Sequence, residues 1–320
     1  MKTGLVLLDI AKAFDKVWHS GLLAKLLASN MEPKLIKLLT SYLERRTFRV
    51  RVQDNISDRY RIRAGVPQGS VLGPTLFNLF IADIPNTVNG VQLALYADDT
   101  AIYYSHRNIN WIQSRLQTSL DDIEDWAANW RVKINPRKTQ AILLGGRINP
   151  RPLHYEGTDI NWSPTAKYLG VTLDRNLTWK SHIDSAIAKT LRATTAIRSL
   201  LIPRNQLHLA NRRLLWAAAL RPMLLYAAPA LASAARCHIN RLERVQNKTM
   251  RTITGAPWYV RNVQLRKDLK LQTIAEHLKD AVTATLDRIQ VSDNPEVAGI
   301  TNYNPYERRR HRGILGIQRD

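Results

Sequence analysis

LALYADDTAIYY (93–104) places two alternating apolar runs on either side of the pair Asp98-Asp99. Alternation with a period of two reads as strand, so the aspartates are expected at the tip of a β-hairpin. An Asp-Asp pair alone is a common turn, because aspartate bonds its own backbone and tolerates turn geometry. A second run changes that reading. GLVLLD (4–9) is continuously apolar and ends in Asp9, the pattern of a buried central strand. If the two strands are neighbours, three carboxylates converge at one sheet edge, where like charges repel unless a cation neutralises them. Hard oxygen ligands of this kind suit Mg²⁺, which keeps waters and takes its remaining ligands from phosphates. Two such ions about 3.5–4 Å apart would activate an attacking hydroxyl and stabilise a leaving pyrophosphate.

Working outward, GVPQGSVLGPTLFNLF (65–80) opens with Gly65 and Gly69 around Pro67-Gln68, a tight turn that Ser70 can cap into a helix. Alone it is an ordinary strand-to-helix turn. In this order with the two aspartate strands, it offers a glycine for close approach to a base pair and the Gln68 amide for a template base or sugar. Helices are expected at 22–29, 33–44 and 70–84, and a hairpin with one basic face around DNISD within 48–64. Apolar residues at steps of three and four from Ile109 to Trp130 predict an amphipathic helix over 109–130. Strands at 91–97, 100–104, 139–144 and 168–173 are expected to complete the sheet. After 174 the texture turns helical, with helices expected at 179–201, 205–219, 238–254 and 265–289.

The chain of 320 residues carries 47 Lys and Arg against 26 Asp and Glu, a net charge of +21. That excess points to a polyanionic partner, nucleic acid before membrane, since phosphate contacts release counterions and dominate affinity. The charge is uneven: residues 1–174 hold 22 basic and 16 acidic side chains, and 175–320 hold 25 and 10. The single cysteine, Cys237, excludes an internal disulfide framework and fits reducing, intracellular surroundings. Asp9 interrupts the first apolar run before signal-peptide length, and Arg221, Pro222 and Pro229 break the longest later one, so no membrane association is expected.

Together, LLDIAKAFDKVWH, AGVPQGSVLGPTLFNLF, LYADDTAIYY, the INPRKT run at 134–139 and KYLGVTLD at 167–174 resemble successive motifs of reverse transcriptases, most nearly those of jockey-like non-LTR retrotransposons. The resemblance covers about residues 3–285, and its first three motifs are the most specific. It implies an α+β fold, a polymerase palm with partial fingers (antiparallel sheet plus helices) followed by an all-helical thumb. It also implies RNA-directed DNA synthesis on an RNA template and a DNA primer, with deoxynucleoside triphosphates and two Mg²⁺ ions, Mn²⁺ being the substitute metal. By match, Asp9 and Asp98 are the principal metal ligands and Asp99 the third carboxylate. Phe14 is similar to the aromatic gate that excludes a ribose 2′-hydroxyl, although on pattern alone it reads as a core residue at a helix start. Gln68 and Gly69 resemble residues touching template and incoming nucleotide, and Lys138 the lysine near the triphosphate, otherwise a surface lysine. Tyr168, Leu169 and Gly170 look like the strand-turn holding the primer end.

Arg241, Arg244, Lys248 and Arg251 fall on one helical face, with Glu243 off it. They are either a solvated face or a surface tracking the backbone of the template–primer duplex. The expected domains are the palm with partial fingers at 1–174, a helical thumb at 175–290 and a basic, disordered tail at 291–320 that includes ERRRHRG (307–313). Because only eight residues precede Asp9, the nucleotide-gripping finger strands of the family are expected to be missing, as from a truncated element. That leaves a rival reading, an inactive remnant that only binds nucleic acid. An RNA-templated RNA polymerase or an intron maturase is the other enzyme option, and Phe14 speaks against ribonucleotide use. A ribonucleoprotein of the nucleus or cytoplasm is the expected setting.

Overall fold

The computed structural model describes residues 1–146, 148, 150–294 and 297, and the chain divides into two units, one of Met1–Leu169 and one beginning at Gly170. The first unit runs β1 (Lys2–Asp9), a 3-10 turn (Ala13–Asp15), α1 (His19–Ala28), α2 (Pro33–Leu43), and the two-residue strands β2 (Thr47–Phe48), β3 (Arg51–Val52), β4 (Asn55–Ile56) and β5 (Tyr60–Arg61). It continues through α3 (Leu72–Ile81), β6 (Gln92–Tyr96), β7 (Asp99–His106), α4 (Ile109–Trp130), β8 (Gln140–Leu144), β9 (Leu153–Tyr155), β10 (Thr158–Ile160), β11 (Trp162–Ser163) and β12 (Thr165–Tyr168).

Five strands form one sheet in the order β11-β8-β1-β7-β6, antiparallel except for the β11–β8 pair. β1 is central, and its residues 4–8 are buried, as a strand covered on both faces requires. α4 lies across one face of β1 and β7, with Ile112, Leu116, Leu120 and Ile123 wholly excluded from water. Each such side chain contributes about 1.5–3 kcal/mol. Gly4 lets the helix approach: a Cβ there would lie 2.4 Å from Ile112 and 2.7 Å from Leu116. The same geometry shows which face of β1 looks toward α4, namely that of Gly4, Val6 and Leu8, because side chains alternate. Asn108 caps α4 by accepting a hydrogen bond from the Asn110 amide at 2.9 Å.

The expected hairpin within 48–64 forms as two short ladders, β2 with β5 and β3 with β4, and every residue of these strands is exposed. The helix expected at 70–84 is α3, which starts later because Ser70 Oγ accepts from the Gly73 amide at 2.9 Å and fixes the entry turn. The strand expected at 168–173 does not close the sheet. Leu169 (φ 48°) and Gly170 (φ 78°) are both left-handed, which no strand continues through, and the sheet edge goes to β11 instead.

The second unit comprises β13 (Val171–Asp174), α5 (Lys180–Ala196), α6 (Arg198–Leu201), α7 (Leu209–Leu215), a π-helical turn (Trp216–Leu220), α8 (Arg221–Leu224), α9 (Ala228–Leu231), α10 (Arg236–Thr254), α11 (Asn262–Asp268) and α12 (Ile274–Gln290). Its core gathers Ile183, Trp216, Leu224, Leu242, Ile253, Ile274 and Leu278. α5 ends at Ala196, short of the expected 201, whereas α10 begins at Arg236, two residues before the expected 238. Pro229 sits in the first turn of α9, where a missing amide costs nothing, and Pro222 lies just past the π-helical turn in a helical run continuous from 209 to 224. The single helix expected at 265–289 is two, broken at Lys270 (φ 49°) and restarted by a capping box between Thr273 and Glu276. Among the described residues no helix is long and apolar enough to cross a membrane. The tail expected at 291–320, with ERRRHRG at 307–313, lies outside the described residues apart from 291–294 and 297.

Candidate active site

In the sheet register Asp9 is the direct partner of Asp99, and Tyr96 pairs with Asp99 from the other side. The β6–β7 connection is therefore the two residues Ala97 and Asp98, with Ala97 at φ 53° as primed hairpin turns require. Directly opposed residues share a face, so Asp9 and Asp99 project together from the face away from α4, and Asp98 occupies the tip. The carboxyl of Asp99 is pushed above the usual carboxylate range, first by desolvation, then by the negative charges of Asp98 and Asp9. That mutual cost is what a bound cation would relieve.

The INPRKT run reaches the same place. The Asn135 amide donates to the Asp9 carbonyl at 2.8 Å, and Thr139 Oγ1 accepts from the Asp9 amide at 3.4 Å. Lys138 Nζ stands 4.0 Å from Asp9 Oδ2, both side chains open to solvent. Among the described residues no three His, Cys, Asp or Glu side chains stand together as a set that could by themselves hold a metal ion.

The segment after Asp9 and the glycine-rich turn are stitched together by backbone. Gly65 N donates to the Val17 carbonyl and Val66 N to the Phe14 carbonyl, each at 2.8 Å, while the His19 ring bonds the Gly65 carbonyl at 2.8 Å. Gly65 has φ 89°, and a Cβ there would lie 2.6 Å from the Asp15 carbonyl oxygen, so only glycine allows this approach. Phe14 is half-buried and stacked on Phe77, ring centroids 4.7 Å apart. Gln68 is exposed, and its Nε2 donates to Asp15 Oδ1 at 2.8 Å. Gly69 (φ 79°) has nothing within 4 Å of where a Cβ would be, so space is open beside it. Asp15 is the residue that sequence reasoning missed. Its signal was present as the second aspartate of LLDIAKAFD, six positions after Asp9, but only the fold shows what it holds.

Tyr168 ends β12, and its hydroxyl is pushed above the ordinary tyrosine range by burial, then by Asp99 and Tyr103. Asp99 and Tyr103 stand on one face of β7, so both act on it from the carboxylate side of the sheet. The preceding residue is pinned by Lys167 N donating to Gln140 Oε1 at 2.9 Å. Leu169 closes the first unit. Gly170 opens the second, where a Cβ would meet the Tyr226 ring at 3.1 Å.

The basic stripe of α10 divides in two. Arg241 is ion-paired with Asp184 of α5. Arg251 donates to the Pro257 carbonyl at 2.7 Å, the Val260 carbonyl at 2.7 Å and Asn262 Oδ1 at 2.8 Å. Arg244 and Lys248 are exposed. Glu243, off this face, pairs with Arg266 at 3.0 Å and accepts from the Ile274 amide at 2.7 Å.

Residues 1–173 match the family described as Reverse transcriptase (RNA-dependent DNA polymerase). The RNA-directed DNA polymerase from mobile element jockey of Drosophila melanogaster is 38% identical over 320 residues, covering 95% of this chain and 35% of that protein. The probable RNA-directed DNA polymerase from transposon X-element, also of Drosophila melanogaster, is 36% identical over 311 residues, covering 95% of this chain and 34% of its own length. This chain thus spans about a third of the length of these curated relatives, 35% and 34%. Among solved structures, apo telomerase from Candida Tropicalis overlaps 54% of this chain and 34% of its own at 14% identity, with a TM-score of 0.40, an overlap too loose to carry weight.

Proposed function

This chain belongs to the reverse transcriptase (RNA-dependent DNA polymerase) family, and from that premise we propose that it is the polymerase portion of a non-LTR retrotransposon protein and copies RNA into DNA at the sheet edge formed by Asp9, Asp98 and Asp99. The observation that carries the proposal is the register that sets Asp9 opposite Asp99 with Asp98 at the adjoining hairpin tip. The reaction joins the 3′-oxygen of a primer to the α-phosphorus of a deoxynucleoside triphosphate. The bond to the bridging oxygen breaks, and pyrophosphate leaves with that electron pair.

The donor set suits magnesium: carboxylate oxygens at a partly open edge, with the remaining ligands left to water and substrate phosphates. When bound, two such ions activate the attacking hydroxyl and neutralise charge on the leaving group. The protein's own part is to position the reactants and stabilise developing charge, which together supply most of the acceleration in phosphoryl-type transfer. Asp9 and Asp99, paired across the sheet, and Asp98 at the tip would hold the cations together with water and substrate phosphates, since the three do not make a complete ligand set by themselves. Lys138, beside Asp9, donates a proton to the departing pyrophosphate. Phe14, braced by Phe77, lies under the incoming sugar and rejects a 2′-hydroxyl. Gln68, held by Asp15, and Gly69, open on one side, face the template base and the incoming nucleotide. Tyr168, Leu169 and Gly170 support the primer end, and Arg244 and Lys248, the exposed members of the stripe, meet phosphates of the duplex and of the strand leaving it, without reading sequence.

The test is Asp98→Ala in a primer-extension assay on an RNA template with magnesium. Extension should be abolished while binding of an RNA–DNA duplex stays within about twofold, since the lost ligand stabilises only the transition state. Retention of more than a few per cent of the activity would overturn the assignment.

A further inference from the structure

We propose that the turn at 257–260 of the second unit is a stacking platform for single-stranded nucleic acid, with Trp258 and Tyr259 receiving bases and Arg244, Lys248 and Arg261 receiving phosphates. This goes beyond the catalytic reading and does not need it.

Trp258 is 88% and Tyr259 69% exposed, against 50% for Trp111 and burial of Trp216, Trp162, Trp126 and Trp179. Side chains of this kind left in water mark a binding surface when they are held in place, and these are. α10 ends at Gly255, in the left-handed conformation that stops a helix, and Pro257 begins the turn. The Val260 amide donates to the Pro257 carbonyl at 3.2 Å, closing it. Arg251 then binds the turn from beneath, through the carbonyls of Pro257 and Val260 and the side chain of Asn262. A planar guanidinium donating three hydrogen bonds to so short a segment fixes its backbone before any ligand arrives, which removes part of the entropy cost of binding.

Charge decides the partner. Lys248 and Arg244 lie one and two helical turns before Arg251 on the same face of α10, Arg261 follows the turn directly, and all three are exposed. No acidic residue occurs in GAPWYVRNVQ (255–264). Aromatic faces beside exposed cations suit a ligand that brings stackable bases on a phosphate chain. The two rings are nearly perpendicular, 79° between planes with centroids 6.0 Å apart. A continuous base-pair stack cannot meet both planes, but successive bases of a flexible single strand can turn to do so. The occupant is therefore single-stranded, such as template or displaced strand outside the duplex.

The experiment titrates a fluorescein-labelled oligothymidylate of about 15 nucleotides with the 320-residue chain, by anisotropy across a range of salt. Trp258→Ala with Tyr259→Ala should raise Kd by about 5- to 150-fold per stacked base lost, leaving the slope of log Kd against log salt unchanged. Melting should not move, because the rings are exposed, and Trp258→Phe should recover most of the affinity. Arg244→Gln with Lys248→Gln should instead flatten the slope by about 1.4, at roughly 0.7 per phosphate contact on a single strand. A duplex of equal length should lose less than twofold with the aromatic pair removed. Unchanged single-strand affinity in the double alanine variant overturns the proposal, as does an equal loss on duplex. Concentration-dependent self-association that the same substitutions abolish, with single-strand binding intact, would make the patch a contact between copies of the chain and overturn it too. Because no catalysis is read, failure here is separable from failure of the Asp98→Ala test.

Discussion

Replacing Asp15 with alanine tests whether the fold uses one carboxylate to aim another residue's amide. Gln68 Nε2 donates to Asp15 Oδ1 at 2.8 Å, and the turn carrying Gln68 is otherwise held by hydrogen bonds from Gly65, Val66, His19, Arg46 and Ser70 that Asp15's side chain does not share. The fold should therefore survive Asp15→Ala with little change in melting, and what is lost is the orientation of Gln68. A hydrogen bond to a charged group contributes about 1.5–3 kcal/mol. Solvent reaches this pair, which reduces the figure to roughly 1 kcal/mol. That corresponds to about a fivefold fall in kcat/KM for the incoming nucleotide. Asp15→Asn should fall less, since its amide oxygen still accepts. Single-nucleotide extension on an RNA template, with the nucleotide varied, measures these values. Gln68→Ala should cost more, because the contact itself goes. The decisive comparison is the double variant. If Asp15 acts through Gln68, adding Asp15→Ala to Gln68→Ala changes nothing further, so the coupling equals the whole Asp15 effect. Additive losses would show that Asp15 acts on its own and would refute the positioning role.

Four further outcomes follow from the structure. Asp99 has a carboxyl pKa raised in the folded state, so its ionisation opposes folding. The opposition is absent below the unfolded value, grows as pH rises toward the folded value and is complete above it. Asp99→Asn should accordingly melt higher than the parent at neutral pH, with the gap closing in acid; a constant gap would deny that burial and the neighbouring carboxylates oppose its ionisation. Millimolar magnesium should raise the melting temperature of the parent and not that of Asp9→Asn with Asp99→Asn, a comparison that reads ion binding without catalysis. Arg251→Ala leaves the Val260 carbonyl and Asn262 Oδ1 without this donor and the Pro257 carbonyl with the Val260 amide alone, and should cost about 2 kcal/mol, or roughly 4–8 °C in thermal melting. Arg244→Gln with Lys248→Gln should leave melting alone and flatten the salt dependence of RNA–DNA duplex binding by about 1.4–1.8; equal thermal effects from both changes would erase the division of the stripe.

Much of the first unit was legible in the linear sequence because local physics wrote it there. The alternation around Asp98-Asp99 and the three-four stepping from Ile109 to Trp130 each have a period that one element satisfies, the continuous apolar run into Asp9 has the length of a buried strand, and the β6–β7 hairpin, α4 and β1 lie there. The order of the motifs, with the intact aspartates, was enough to identify the family. Pattern was not enough for the second unit. Its helix break at Lys270 and the π-helical widening at Trp216–Leu220 are not marked by the apolar spacing, which runs on through both. The four-residue basic stripe shows the limit most clearly. Spacing places Arg241, Arg244, Lys248 and Arg251 on one face, and each is equally charged in the sequence. Whether a guanidinium meets solvent or a protein acceptor depends on what another element brings alongside, here Asp184 from α5 and the carbonyls of the turn after α10. The same holds for Asp15, whose partner Gln68 lies 53 positions away. Periodicity along the chain determined which residues could share a face. Tertiary contact decided which of them were already occupied, because hydrogen bonds and ion pairs form over about 3 Å of space regardless of separation in sequence.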